Sequence, residues 1–294
     1  MLAFVFPGQG AQSVGMVAAL AAEFPQVRAR YQEASSVLGF DLWALVDSGP
    51  AEALNLTHNT QPALLAASVA TWDVWLALGG PRPALMAGHS FGEYSALVCS
   101  GALAFRDAVG LVADRGKYMQ EAVPAGAGGM AAVLGLEQPA LAAACAAAAE
   151  AGVAQCANLN APGQIVISGA AAAVARAGEL AKEAGAKRVV PLAVSVPAHS
   201  ALMKPAAERL QAALAGIELA APCIPVVNNV DVAIESDPAR IRDALVRQAA
   251  GPVRWVECVG KIKSLGIDTV VECGPGKVLA GMTKRIDGEL TGAA

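Results

Sequence analysis

The 294-residue sequence predicts an α/β protein in which a large unit with a central parallel sheet is interrupted by a smaller unit of β-α-β-β-α-β order. Three observations carry this expectation. Over the first 120 residues, short apolar runs such as "LAFVFPG" and "PALMAGH" alternate with helical stretches such as "QPALLAASVATWDVWLALGG". After the glycine-rich "PAGAGG" (124–129) the rhythm changes to closely spaced strands and two helices. Between Gly88 and Gly92 a lone serine, Ser90, sits where an apolar run passes directly into a helix-compatible one.

Taken in order, "LAFVFPG" opens the chain as a first strand, and "PALMA" (83–87) is short and apolar, as a strand buried on both faces should be. The helix after it, "FGEYSALVCSG", stops at Gly101, a suitable C-terminal cap. The smaller unit then reads as strand "MAAVLGL", a helix over 137–151, strand "VAQCANLN", turn "APGQ", strand "IVISG", a helix over 170–184 and strand "KRVVPLAV". This is a ferredoxin-like order. The alanine run at 140–149 is taken as plain helix, since alanine is the best helix former. Domain boundaries are therefore expected at 1–124 and 196–294 for the large unit and 125–195 for the insertion. A late strand, "IDTVVECG", closes the sheet, and the last residues, "DGELTGAA", are expected to fray. "CGPGKVLAG" resembles a phosphate loop, but position 271 is Val where such a loop needs glycine, and Val278 replaces the metal-binding hydroxyl. It is read as a tight turn.

Composition narrows the function classes. Hydrophobic residues make up 55% and aromatics 4%, a globular and helix-rich balance. Apolar runs are broken by Asp73 and Glu150 well short of the roughly 18 residues a bilayer needs, so no span is expected. The N-terminus lacks a basic flank, so no signal peptide is expected and the cytoplasm is the expected location. Net charge is −4 with dispersed lysines and arginines, which gives no support to nucleic-acid binding. Six cysteines (Cys99, Cys145, Cys156, Cys223, Cys258, Cys273) form no C-x-x-C pair and no histidines stand at metal-ligand spacing; reduced thiols and no metal are expected.

Ser90 carries the main functional signal. G-x-S-x-G is either a tight turn that contains a serine or a nucleophile elbow, whose glycines let strand and helix pass closely while the hydroxyl is held at the tip. A serine nucleophile needs a base. Of three histidines, His58 lies in the polar "NLTHNTQ" and reads as a loop residue, and His89 beside Ser90 points elsewhere at a sharp turn, in a supporting or packing role. His199, in "SVPAHSALMK" between a strand end and a helix start, is the base by elimination; its alternative is a simple exposed loop histidine. Arg115 shares a helix face with Leu111, Val112, Tyr118 and Met119, so it must be buried among apolar groups and needs an anion. That anion is either an internal carboxylate or the carboxylate of a ligand. "FPGQGAQ" follows the first strand, and a backbone N–H there can join that of Phe91 in an oxyanion hole.

Together "FPGQGAQ", "TQPALL", "GHSFGEYSAL", "RGKYMQ", "NLNAPGQIVISG", "VPAHSALM", "GPVRW" and "ECGPGKVL", in this order and spacing, resemble the malonyl-CoA:acyl carrier protein transacylase family from about Phe4 to Lys284. The resemblance implies an α/β-hydrolase-like large domain with a ferredoxin-like insertion. It implies Ser90 as acylated nucleophile, His199 as base, Arg115 on the malonyl carboxylate and the N–H groups of Gln9 and Phe91 as oxyanion donors. It further implies that the main-chain carbonyl of Gln248 orients the histidine, with Gln61 and Asn160 lining or supporting the site. The implied substrates are malonyl-CoA and holo acyl carrier protein, whose phosphopantetheine thiol takes the malonyl group in fatty acid biosynthesis; no cofactor of the protein's own is implied. The chain departs from many relatives in the bulky Phe91, which neighbours the acyl pocket and bears on methylmalonyl, and in the small "AAG" after Gln248. A polyketide acyltransferase, a serine thioesterase and a non-catalytic carrier-binding scaffold are the alternatives. Lys187 with Arg188 and Lys284 with Arg285 are expected to offer a basic surface to an acidic carrier, with a monomer as the default assembly.

Overall fold

The computed structural model describes residues 1–192, 194 and 196–294. The expected boundary at 195 and position 193 of the expected strand 187–194 lie outside the described residues.

The chain opens with β1 (Leu2–Phe6), followed by α1 (Ala18–Glu23), α2 (Pro25–Leu38), α3 (Leu42–Ser48), α4 (Ala51–Leu54) and the long α5 (Thr57–Ala77). Then come β2 (Leu85–Gly88), α6 (Gly92–Cys99) and α7 (Phe105–Glu121). The next six elements are β3 (Gly128–Leu134), α8 (Gln138–Ala147), β4 (Ala154–Ala161), β5 (Gln164–Ala170), α9 (Ala171–Glu183) and β6 (Arg188–Pro191). The chain closes with α10 (Lys204–Ala215), β7 (Val226–Val227), α11 (Pro238–Ala250), α12 (Trp255–Ser264), β8 (Thr269–Glu272), α13 (Val278–Ile286) and β9 (Thr291–Ala293).

Two sheets result. The first is parallel throughout, in the order β7-β2-β1-β8-β9. Of its inner strands, β1 and β2 are apolar at every position because both faces are covered: Phe4 and Phe6 point into one core cluster with α2, α5 and α7, while Ala3 and Val5 point into another with α12 and α13. The second sheet is antiparallel, in the order β4-β5-β3-β6. Here period two decides the faces: Ala131, Val133, Ile165 and Ile167 pack under α8 and α9, and the intervening Met130, Ala132 and Val166 face a cavity. Backbone bonds from Leu159 N–H to Val253 C=O (2.9 Å) and from Val253 N–H to Ala157 C=O (2.8 Å) tie this sheet to the large unit.

Two expectations are corrected. The C-terminal residues do not fray: β9 pairs in parallel with β8, Thr269 opposite Thr291, because the edge of β8 offers unpaired backbone groups and buried Leu290 anchors the segment. His58 is helical, since α5 starts at Thr57 and its apolar packing extends the helix four residues upstream of the expected start. No helix of the described residues is long and apolar enough to cross a membrane. All six cysteines are free thiols, Cys223 exposed and Cys156 half-buried.

Candidate active site

The site forms where β1, β2 and β7 end, at the carboxyl edge of the parallel sheet, where open α/β sheets collect ligands. Ser90 lies two residues past the end of β2 with a φ of 55°, a left-handed conformation uncommon outside glycine, and α6 begins two residues later. The flanking glycines are obligatory: a Cβ on Gly88 would lie 1.9 Å from the carbonyl carbon of Gly92, and one on Gly92 would lie 2.4 Å from the oxygen of Phe6. The turn is therefore an elbow that presents the serine at the positive end of α6.

The partner expected by elimination is in place. His199, also strained at a φ of 60° and only 3% exposed, sets Nε2 2.6 Å from Ser90 Oγ. Its Nδ1 lies 2.9 Å from the main-chain oxygen of Gln248 and 3.1 Å from that of Gly251. Both are acceptors, so Nδ1 carries the hydrogen and Nε2 offers its lone pair to the serine. Gly251 is an addition to the expected single carbonyl. Burial, with the Arg115 cation nearby, pushes the imidazole down to about 3, which holds it neutral and basic in form at ordinary pH.

Arg115, on α7, is 2% exposed. Its guanidinium donates from one nitrogen to Gln61 Oε1 (3.0 Å) and from another to Gln248 Oε1 (3.3 Å), and lies 5.6 Å from the centre of the Tyr94 ring. Nε has no partner, and among the described residues the arginine forms no ion pair with a carboxylate. Burial lowers its pKa, so an anion at this position is favoured. Of the two anions left open by spacing, no internal carboxylate touches it among the described residues; the buried Glu93 acts on it only at longer range, with Gln248 between them.

Ser90, His199 and Arg115 open on one cavity of about 830 Å³, which Gln9, Phe91, His89 and Asn160 also line. Gln9 follows β1 and reaches Thr57 Oγ1 at 3.4 Å. Phe91 is 1% exposed and packs into the main core as well as bounding the cavity. His89 turns away from the serine, with Nε2 2.8 Å from Asn160 Oδ1 and its ring edge-on to Trp255. Gln61 and Gln248 stand behind Arg115 rather than on the cavity wall. Every expected residue thus falls in one constellation. Among the described residues no group of three or more His, Cys, Asp or Glu is gathered as a metal would need.

Two residues of this constellation escape sequence reasoning. Asn229, just past β7, accepts from Ser90 N–H (2.7 Å) and donates to Gly88 C=O (2.7 Å). Glu93, in the first turn of α6 and 2% exposed, accepts from Asn229 N–H (2.9 Å) and from Gln248 Nε2 (2.7 Å). The available signals were the paired asparagines in the apolar stretch "IPVVNNV" and an acid placed where the next helix turn must be buried.

A strained serine at the end of a parallel strand, a neutral histidine on its hydroxyl and a buried arginine without a carboxylate define a site of the serine acyl-transfer class. Comparison agrees: residues 3–286 match the acyl transferase domain family. The malonyl CoA-acyl carrier protein transacylase of Salmonella typhimurium is 60% identical over 99% of this chain and 94% of its own length. An acyl carrier protein S-malonyltransferase from Vibrio cholerae superposes with a TM-score of 0.98 at 59% identity, covering 100% of this chain and 96% of that one. So does a malonyl-transacylase solved in complex with the acyl carrier protein of a type II polyketide synthase, at 57% identity and a TM-score of 0.98, over 100% of this chain and 94% of that one. The chain belongs to the malonyl CoA-acyl carrier protein transacylases within the acyl transferase family.

Proposed function

We propose that the protein moves a malonyl group from malonyl-CoA to the phosphopantetheine thiol of holo acyl carrier protein through an ester on Ser90, in fatty acid biosynthesis. The observation that carries this reading is Arg115: a buried guanidinium with a free Nε and no protein carboxylate, opening on the cavity beside a serine–histidine pair. A malonyl carboxylate completes it in bidentate fashion. A plain acyl chain leaves the cation unpaired, a penalty of roughly 2 to 5 kcal/mol.

In the first half-reaction Ser90 Oγ gives its proton to His199 Nε2 and bonds to the thioester carbon. The oxyanion is held by the N–H groups of Gln9 and Phe91 until the C–S bond breaks and the CoA sulfur takes the proton from Nε2. In the second, the carrier's thiol gives its proton to Nε2, its sulfur bonds to the ester carbon, and Ser90 Oγ leaves and regains the proton. Gln248 C=O and Gly251 C=O hold the imidazole through both steps, so a dyad suffices without an acidic third member. Asn160 orients His89, and Gln61 with Gln248 orients Arg115. No cofactor or metal takes part in this scheme.

The large unit, 1–124 with 196–294, is read as α/β-hydrolase-like, and 125–195 as a ferredoxin-like insertion. The support for the latter is the order of its four strands, second-third-first-fourth across the sheet. The acidic carrier is assigned to a basic row at its edge: Arg188 pairs across from Leu134, Leu134 from Gln164, and Gln164 Oε1 accepts from Arg285 at 2.5 Å, next to exposed Lys187 and Lys284. Gln164 also lines the cavity, which sets this row at its margin. The likeness to the polyketide-type complex favours such carriers as a second partner class. The protein is taken to act in the cytoplasm, as a monomer.

The test is transfer from radiolabelled malonyl-CoA, and separately acetyl-CoA, to the protein and onward to holo carrier, in wild type and Arg115→Ala. Malonyl labelling that passes to the carrier faster than it hydrolyses is the expected result, with malonyl labelling falling and acetyl labelling rising in Arg115→Ala. Rapid release of free malonate makes the protein a thioesterase instead.

A further inference from the structure

Gln248 stands at the junction of the site. Its main-chain oxygen receives His199, and its side-chain amide has only one workable orientation: Nε2 donates to Glu93 Oε2 (2.7 Å) and to Ser90 C=O (3.0 Å), while Oε1 accepts from Arg115 (3.3 Å). Turned over, the amide would set its oxygen against two acceptors and its hydrogens against a guanidinium. Ser90 C=O is one of the acceptors that enforce this orientation, and Glu93 is the nearer one.

Glu93 itself is a buried acid that the transfer chemistry does not use. It does not line the cavity and, among the described residues, it forms no ion pair. Both of its bonds, from Asn229 N–H and from Gln248 Nε2, converge on the same oxygen, Oε2. A neutral side chain with an oxygen at that point makes the same two bonds. The two bonds themselves thus do not require a negative charge, although a carboxylate there also attracts Arg115 at longer range; burial, which pushes this carboxyl up to about 7, agrees with a group whose protonation at the other oxygen leaves both bonds intact.

We propose that Glu93 is a positioning residue for acyl selection: its Oε2 fixes the Gln248 amide so that Oε1 faces Arg115, and thereby keeps the guanidinium turned toward the cavity for the substrate's carboxylate. The inference rests on the reading of Arg115 as the carboxylate clamp. It assigns specificity to a side chain that never touches the acyl group, through geometry and not through charge.

Two conservative variants separate geometry from charge. Glu93→Gln keeps the oxygen in reach and loses the charge; Glu93→Asp keeps the charge and withdraws the oxygen by one methylene. The readout is the ratio of kcat/KM for self-acylation by malonyl-CoA to that by acetyl-CoA, with folding checked by thermal denaturation and Arg115→Ala measured alongside. The ratio is expected to stay within about threefold of wild type in Glu93→Gln and to fall about tenfold or more in Glu93→Asp, through a raised KM for malonyl-CoA. The reverse order, an unchanged ratio in both, or an equal loss with both donors overturns the proposal. Should Glu93→Asp not fold, Gln248→Met carries the same expectation, and an unchanged ratio there overturns it equally. A ratio unmoved in Arg115→Ala would instead sink the clamp itself, which keeps the two failures apart.

Discussion

At the serine end of the cavity, Ser90 N–H is held by Asn229, both ring nitrogens of His199 have partners, and two nitrogens of Arg115 rest on glutamine oxygens. On the side built by the antiparallel sheet, the wall is mostly Met130, Ala132, Val166, Leu192 and Val194, apolar groups with nothing to orient, and polar side chains enter it only along β4 and its turn into β5, at Asn158, Asn160 and Gln164. The two regions share one cavity but answer to different requirements. Bond making and breaking needs atoms held within fractions of an ångström, which takes directional hydrogen bonds in a dry setting. A passage for an acyl thioester arm needs only shape and low polarity, which alternation along β3 and β5 supplies.

This contrast is sharpest in the size of the effects expected. Ser90→Ala should abolish labelling by malonyl-CoA, a loss of about a thousandfold or more in single-turnover acylation; residual labelling at another residue would break the comparison at its root. Asn229→Ala leaves Ser90 N–H and Gly88 C=O without partners in a buried turn. It should slow acylation by malonyl and acetyl donors alike, about tenfold or more, and cost roughly 2 kcal/mol in denaturant unfolding. An effect confined to malonyl would assign Asn229 to selection and not to the elbow.

pH separates two buried groups. His199 acts as base when neutral, and burial with Arg115 pushes it down to about 3, so the acid limb of acylation should lie far below the ordinary imidazole value of 6.5. A rate that halves near pH 6.5 would show the imidazole to be exposed in solution. Glu93 shifts the other way, to about 7 from 4.5. Between those values the folded protein holds a proton the unfolded chain has lost. Its contribution to stability is therefore present at low pH and is lost as pH rises through about 7, by roughly 3 kcal/mol, and Glu93→Gln should flatten that slope in urea midpoints measured from pH 5 to 8.

The smallest effect belongs to the apolar wall. Met130→Ala should raise the KM for carrier or CoA thioester only a few-fold and leave kcat unchanged in steady-state transfer, since no reacting atom depends on that side chain. A large fall in kcat would mean that the small sheet positions the chemistry too.

Much of the site was legible because its parts sit on strong local signals. Gly88-x-Ser90-x-Gly92 between an apolar run and a helix reads as an elbow or as a tight turn that contains a serine, and Arg115 on an apolar helix face reads as a cation in need of an anion. His199 emerged by elimination, and the structure brings it to 2.6 Å from the serine. Asn229 and Glu93 were not legible, since an asparagine past a two-residue strand and an acid in a first helix turn are common in loops and caps. His58 and β9 depart from the sequence expectation for a related reason: their polar or small residues read as loop or frayed end, and packing draws them into regular structure.

What the sequence by itself determined is whatever depends on period, turn chemistry and residue type: the α/β class, the inserted β-α-β-β-α-β unit, the serine elbow and the need of Arg115 for an anion. What only the tertiary structure decided is how that need is left open. Whether a carboxylate of the protein satisfies Arg115 depends on side chains 54 and 133 positions away in the chain, Gln61 and Gln248, whose amide oxygens neutralise no charge and so reserve the cation for a ligand. Such long-range pairings follow from the closure of the sheet and the docking of α5, α7 and α11. No local pattern encodes them.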